Sequence, residues 1–363
     1  MPRWSQIVFV GCFLLIIYGV PLSQAGLEIY RGHRPQALDL LATVPSTDNL
    51  RAFEKELERS SVYAQQVRPW MQYLTYLALR SPGEKAILGK DGWLFYKPDI
   101  QYLVEPSPQE DPVATILAFR QELSRRGIRL LVIPMPGKPS VYPGKLTRRD
   151  GFRSPTLDLL SRLRGAGVET MDLFAFFHAQ DRGAADYLIR DTHWTGDAAR
   201  MAAHAVARRV RELGWVSVGS EQYDANAMTV KRRGDIIRMM QAPDLERQFP
   251  AEDVRCEQVV ERATGQVYKD DPHSPVLVLG DSFLRIYQRD EPGAAGFIAH
   301  LARELQTPLA SIVNDGGAST LVRQELSRRP QLLEGKKLVI WEFVERDIRF
   351  GTDGWKYVPL PAA

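Results

Sequence analysis

The sequence predicts an α/β fold built on a doubly wound, mostly parallel sheet flanked by helices. From residue 112 onward helix and strand patterns alternate, as parallel strands joined by crossover helices require. Five or so strand segments are short apolar runs, the pattern of strands covered on both faces. At 363 residues and 44% hydrophobic, the chain can also bury the core of one large domain with a smaller appendage.

At the N-terminus, Arg3 precedes an apolar run over residues 7–22, broken only by Gly11, Cys12, Tyr18, Gly19 and Pro21. This is an export signal. Ser23-Gln24-Ala25 places small residues where a signal peptidase reads. Residues 1–25 are therefore either a cleaved signal peptide or, since about 17 residues make a minimal span, a retained anchor. Cys12 lies too near the start for a lipoprotein leader. Either way the bulk of the chain lies outside the cytoplasm, and the expected location is periplasmic, held at the inner membrane by the N-terminus.

Residues 26–84 are mixed and polar, with helical stretches at 50–57 and 70–79, and read as a stalk or packing arm. The main domain, 85–345, opens with a tight turn at Gly89-Lys90-Asp91-Gly92, because Asp-Gly tolerates positive backbone angles, and Trp93-Leu94-Phe95-Tyr96 favours strand. Ile116, Phe119 and Leu123 share a helical face that Gly127 stops, and residues 128–133 form a buried strand ended by Pro134. Ser154 and Pro155 start a helix with Leu159, Leu160 and Leu163 inward, and residues 168–174 return as a strand. The clearest helix is 196–213, with Ala199, Ala202, Ala203, Val206, Val210 and Leu213 on one face. Residues 216–275 lose the rhythm and read as an insertion or lid-like segment. Strands at 276–279, 309–313 and 337–343 then alternate with helices near 293–305 and 320–328, and 346–363 is a C-terminal tail.

The net charge of +3 and pI near 8.8 are mildly basic. Lys and Arg are spread through helices without a dense stripe of interleaved aromatics, so nucleic acid is not an expected partner. Only Cys12 and Cys256 are present, and Cys12 lies in the leader, so the exported part has no internal disulfide and rests on its packed core.

Two strings carry chemistry: Asp191-Thr192-His193-Trp194 before the 196–213 helix, and Gly280-Asp281-Ser282 at the end of an apolar strand. A serine hydroxyl is a weak nucleophile at neutral pH; it needs an imidazole to take its proton and a carboxylate to hold the imidazole's tautomer. Ligands of such sheets bind beyond the carboxyl ends of the strands, where Ser282 lies, and its backbone N–H can face a developing oxyanion. In an extended segment, Asp191 and His193 point to one side, so the carboxylate can orient the ring while its other nitrogen meets Ser282. Thr195 caps the following helix. Taken singly, each string has a plain alternative: a strand-ending turn, a loop carboxylate, a surface histidine.

Rival bases are weaker. Asp271-Pro272-His273 repeats the spacing, but it precedes the strand that Ser282 follows, roughly 16 Å away at the opposite sheet edge. His204 shares a solvated stripe with Arg200, Arg208 and Arg211, and His33, His178 and His300 lack a carboxylate at useful spacing. Asp191, His193 and His204 have no recognised metal-ligand spacing, so no metal is expected.

These residues resemble the alginate O-acetyltransferases of the AlgJ and AlgX type, whose domain is similar to the SGNH hydrolases. The likeness covers about residues 85–345. It rests on residues 89–95, on 134–146 with Lys138, Tyr142 and Pro143, on 191–194 and on 280–283. The resemblance implies a catalytic triad of Asp191, His193 and Ser282, and their order matches the family, since ordinary SGNH esterases place the serine first. It implies O-acetyl transfer to an extracytoplasmic polysaccharide through an acetyl-serine, with no cofactor, and a membrane-bound O-acyltransferase partner that delivers the acetyl group. Oxyanion candidates beyond Ser282 are Asn314 and Gly317, just past the next strand at the same sheet edge. Two departures stand out: no carbohydrate-binding module of the AlgX kind follows the last strand, and the leader resembles the retained anchor of the AlgJ kind. Two alternatives remain open, an esterase with the same triad and a non-catalytic polysaccharide-assembly subunit.

Overall fold

The apolar runs become a five-stranded, all-parallel sheet. The computed structural model describes residues 3–35, 38, 46–105, 111–147, 153–178 and 185–361. The other residues of the leader, the 26–84 segment, the main domain and the tail lie outside the described residues. The chain divides into two compact units, Met1–Gly83 with Met240–Gln248, and Glu84–Met239 with Phe249–Ala363.

In the larger unit, β1 (Ala86–Leu88) and β2 (Leu94–Tyr96) form a hairpin around the expected turn, with Asp91 and Gly92 both at positive φ. The strands that follow are β3 (Arg129–Met135), β4 (Glu169–Thr170), β5 (Tyr223–Arg232), β6 (Glu252–Glu261), β7 (Val276–Gly280), β8 (Ala310–Val313) and β9 (Leu338–Val344). The main sheet runs β4-β3-β9-β7-β8. Alternate residues face opposite layers. Leu130, Val132, Leu277, Leu279, Val339, Trp341 and Phe343 pack with the helices Pro112–Ser124, Thr156–Gly165 and Leu321–Arg328. Leu131, Ile133, Val276, Val278, Leu338 and Ile340 pack with Gly196–Leu213 and Phe297–Leu305. Both faces are covered, which is the doubly wound arrangement.

The structure departs from the sequence pattern in four places. First, Pro134 does not end its strand: β3 continues to Met135. The Arg129 N–H points to β9, bonding Lys337, so even-numbered N–H groups point towards β4. β4 stops at Thr170, opposite Val132, so the missing N–H of Pro134 faces no strand. Second, the strand expected over 168–174 shrinks to β4, because the Asp172 carboxylate accepts from Ala175 N at 3.0 Å and opens a helix, Leu173–His178. Third, residues 216–275 contain a two-stranded antiparallel ribbon, β5 with β6. In β5 only Tyr223 and Val230 are buried, so the apolar signal is faint. Fourth, the C-terminal tail is packed. Trp355 lies edge-on to Phe343 at 5.0 Å, and Leu360 N donates to Glu122 at 2.8 Å.

In the smaller unit, the helices Arg3–Leu14 and Val20–Tyr30 are joined through a π-turn, Leu15–Gly19. Gln6–Tyr30 is long and apolar enough to cross a membrane, with mean hydropathy 2.1. The helical stretches expected at 50–57 and 70–79 are longer, Thr47–Ser60 and Val62–Leu79.

Helix Gly196–Leu213 carries the site's first string on its N-terminal side. The Thr195 hydroxyl accepts from Ala198 N at 3.3 Å, and Gly214 closes the helix at φ 63°. Thr195→Ala should lower stability by about 1 kcal/mol, read as an unfolding midpoint shifted in urea with an unchanged slope.

Candidate active site

The residues around Ser282 show why this turn reads Gly-Asp-Ser. A Cβ on Gly280 would lie 2.3 Å from Leu284 Cδ1 and 2.4 Å from Glu342 Oε2, so any side chain there would displace one of these two buried groups. Asp281 caps the turn, accepting from Phe283 N at 2.8 Å and from Val344 N at 2.9 Å. Ser282 then opens the short helix Ser282–Arg285 beyond the carboxyl end of β7, half-buried. Its own N–H is one of the opening amides that have no intrahelical acceptor.

Asp191-Thr192-His193-Trp194 arrives from across the sheet. Ser282 Oγ lies 2.8 Å from His193 Nε2, and His193 Nδ1 lies 2.6 Å from Asp191 Oδ1. The segment is not extended as the spacing suggested. Asp191 Oδ1 also accepts the backbone N–H of His193 at 3.1 Å, so a turn places carboxylate and ring together. The Phe283 ring lies 4.9 Å from the imidazole, and Trp194 stacks on Phe297 at 5.8 Å. His193 O and Trp194 O accept from Leu188 N at 3.1 Å and Tyr287 OH at 3.1 Å.

The loop before Asp191 is pinned from two sides. Buried Lys138, just past β3, donates to the carbonyls of Leu94 at 2.6 Å, Ile189 at 2.7 Å and Asp191 at 3.1 Å, with the Trp93 ring 4.9 Å from its ammonium. Burial lowers the Lys138 pKa to about 7, against the pull of Asp191 and other carboxylates. Glu252, opening β6, accepts the N–H groups of Ile189 and Arg190, both at 2.9 Å.

Three residues missed in the sequence complete the site. Gly234 has φ +90°, and a Cβ there would lie 2.2 Å from Arg190 O, so the chain after β5 passes directly against the loop. That approach brings Arg232 to 3.8 Å from Asp191 Oδ2 and lets Asp235 N donate to the same oxygen at 3.1 Å. Asp235 in turn accepts from Thr192 N at 2.7 Å and Thr192 Oγ1 at 2.5 Å. Only the Gly-Asp pair at the end of a weak ribbon strand marked them in the sequence.

Donor atoms of Asp191, His193 and Asp235 lie within 4.8 Å of one another. All four carboxylate oxygens accept from N–H or O–H groups, and Nδ1 is hydrogen-bonded to Asp191. Asn314 is tied to the serine turn, its N–H donating to Gly280 O at 3.0 Å. The Gly317 N–H donates to Asn314 O at 3.2 Å, so it is turned away from an acyl oxygen; Asn314 Oδ1 accepts from Gly316 N, leaving Nδ2 as that loop's side-chain donor. Asp271 and His273 lie before β7, at the opposite edge, and His204 is exposed and pairs with Glu304 at 3.2 Å.

Burial opposes charge on both members of the pair and is overcome in both. His193 is raised, because the charge and hydrogen bond of Asp191, then Asp235, outweigh desolvation. Asp191 is held below the usual carboxylate range by His193 and Arg232 despite desolvation. Glu342 behind the turn is pushed well above its ordinary value by burial and by Asp281. A raised histidine stabilises the fold below its unfolded pKa of about 6.5 and loses that as pH rises through the folded value. A lowered aspartate stabilises above about 3.9 and loses that as pH falls through its folded value. His193→Gln should therefore cost most stability between about pH 4 and 6.5, and progressively less as pH rises through the raised folded value, in urea unfolding series. Gly234→Ala should cost about 1–3 kcal/mol through the clash with Arg190, read by thermal unfolding.

The comparisons follow this geometry. Among curated proteins, a probable alginate O-acetylase AlgJ of Pseudomonas aeruginosa is 27% identical over 309 residues, covering 77% of this chain and 74% of that protein. The alginate biosynthesis protein AlgX of the same organism is 23% identical over 270 residues, 71% of this chain and 55% of that protein. Among solved structures, the O-acetyltransferase domain of Pseudomonas putida AlgJ matches with TM-score 0.57 at 24% identity, over 72% of this chain and 92% of that one. P. aeruginosa AlgX matches with TM-score 0.51 at 22% identity, over 71% and 62%. These two structures share the fold. The family model described as the SGNH hydrolase-like domain of acetyltransferase AlgX matches residues 86–345, and this chain belongs to that family.

Proposed function

We propose that Ser282, His193 and Asp191 are a catalytic triad that moves an acetyl group onto hydroxyls of an alginate-like polysaccharide outside the cytoplasm. The observation that carries this reading is the unbroken hydrogen-bonded line from Ser282 Oγ through His193 to Asp191 at the carboxyl edge of a parallel sheet. The names of the curated relatives support the acetyl group and the polysaccharide.

His193 Nε2 takes the Ser282 proton as Oγ attacks the donor's acetyl carbonyl. The negative oxygen of the tetrahedral intermediate is met by the Ser282 N–H and Asn314 Nδ2. Collapse expels the donor's leaving group, which takes the proton from His193. A sugar hydroxyl then gives its proton to His193 and attacks the acetyl-serine, and the second collapse returns the proton to Ser282 Oγ. Asp191 stabilises the imidazolium in both halves. The donor is delivered by a membrane-bound O-acyltransferase partner.

Residues 85–345 carry the chemistry, and the N-terminal helix is a retained anchor that keeps the chain on the periplasmic side of the inner membrane. Gln24 supports retention. It is buried and accepts from Val62 N at 3.2 Å, while Tyr63 OH donates to Ser23 at 2.7 Å, so the residues before Ala25 belong to the packing of the helix after it.

The test incubates the full chain in detergent with an activated acetyl ester and mannuronate oligosaccharides. Wild type should yield acetylated sugar, and Ser282→Ala should lose at least about a thousandfold in rate. Equal rates in the two proteins would overturn the triad, and free acetate with unmodified sugar would make the enzyme an esterase.

A further inference from the structure

Asp191 is not the only carboxylate at the imidazole. Asp235 Oδ2 lies 3.5 Å from His193 Nδ1, on a side chain only 14% exposed. Thr192 Oγ1, 3.2 Å from the same nitrogen, donates to that oxygen. Asp235 thus reaches the ring both directly and through Thr192, while its backbone N–H fixes Asp191 Oδ2. Since Asp191 Oδ1 holds Nδ1 at 2.6 Å, Asp235 is placed to act on charge without competing for the proton.

We propose that Asp235 is a positioning residue of this site, a second carboxylate that stabilises the His193 imidazolium and locks the Asp191-Thr192-His193 turn. The proposal rests on the triad reading above. Its chemical logic is that His193 becomes a cation each time Ser282 or a sugar hydroxyl gives up a proton, in a pocket where burial disfavours that cation. One buried carboxylate offsets part of this, and a second offsets more. The charged groups facing the pair come from several elements. Arg232 lies beside Asp191, Arg346 after β9 acts against the imidazolium, and Lys138, Tyr96 and Asp191 act on or with Asp235. Burial and Asp191 raise Asp235, while the His193 charge and the hydrogen bonds from Thr192 pull it back down. The segment just past β5 that carries Asp235 is therefore part of the site.

Asp235→Asn keeps the acceptor for Thr192 N and removes the charge, while an amide NH2 replaces the oxygen that accepts from Thr192 Oγ1. In the full chain in detergent, with the histidine ring carbons isotopically labelled and the His193 signal assigned by its loss in His193→Gln, NMR titration should show the His193 pKa falling by about one unit or more. The acid limb of the pH–rate profile should move down by the same amount. An unchanged titration would mean that Asp235 is neutral or merely structural, and would overturn the proposal. Asp235→Ser, which keeps an acceptor without the charge, gives the same readout should the Asn variant not fold. The titration needs no turnover, so a failure of the acetyl-transfer reading, seen as an inactive wild type, is distinct from a failure of this one.

Discussion

A fully buried carboxylate, Asp191, is the constraint around which the site is organised. Desolvating a carboxylate is costly unless each oxygen is met by donors or positive charge. Here Oδ1 takes both N–H groups offered by His193, and Oδ2 takes the Asp235 N–H with Arg232 nearby. The Asp191 carbonyl is held by Lys138 at the same time. Moving the carboxylate would strand several buried groups at once, so the imidazole is aimed at Ser282 by the cost of every other position. Because the partners come from β3's exit, the Asp191–Trp194 segment and the end of β5, the site is a product of the whole unit's fold.

The same logic governs the serine side. Asp281 is spent on capping the turn and on Val344 N, although it lies next to Ser282. Glu342, beneath it, is forced towards the neutral form. Buried acids behind Ser282 thus support the backbone, while the one carboxylate kept strongly ionised is the one that holds His193.

How far the sequence foretold this depends on the range of each interaction. Helix faces and the pairing of Asp191 with His193 are local, written within a few residues, and were legible; the rejection of Asp271 and His273 followed from strand length alone. The shortened β4 was hidden because Asp172 opens a helix inside an apolar stretch that also suits a strand. Arg232 and Asp235 were not legible, because a ribbon with one exposed side has little apolar rhythm and their contact with Asp191 is set by pairing with β6. Gly317 was placed correctly at the sheet edge, but the direction of its N–H depends on a turn that composition does not specify.

The central claim, that Ser282 carries the acetyl group, is tested most directly by mass spectrometry of the full chain quenched during turnover with an activated acetyl ester. The account predicts one acetyl adduct, on the peptide containing Ser282, that disappears when an acceptor oligosaccharide is added. Acetylated sugar formed with no adduct on that peptide, or with the adduct on another residue, would contradict it.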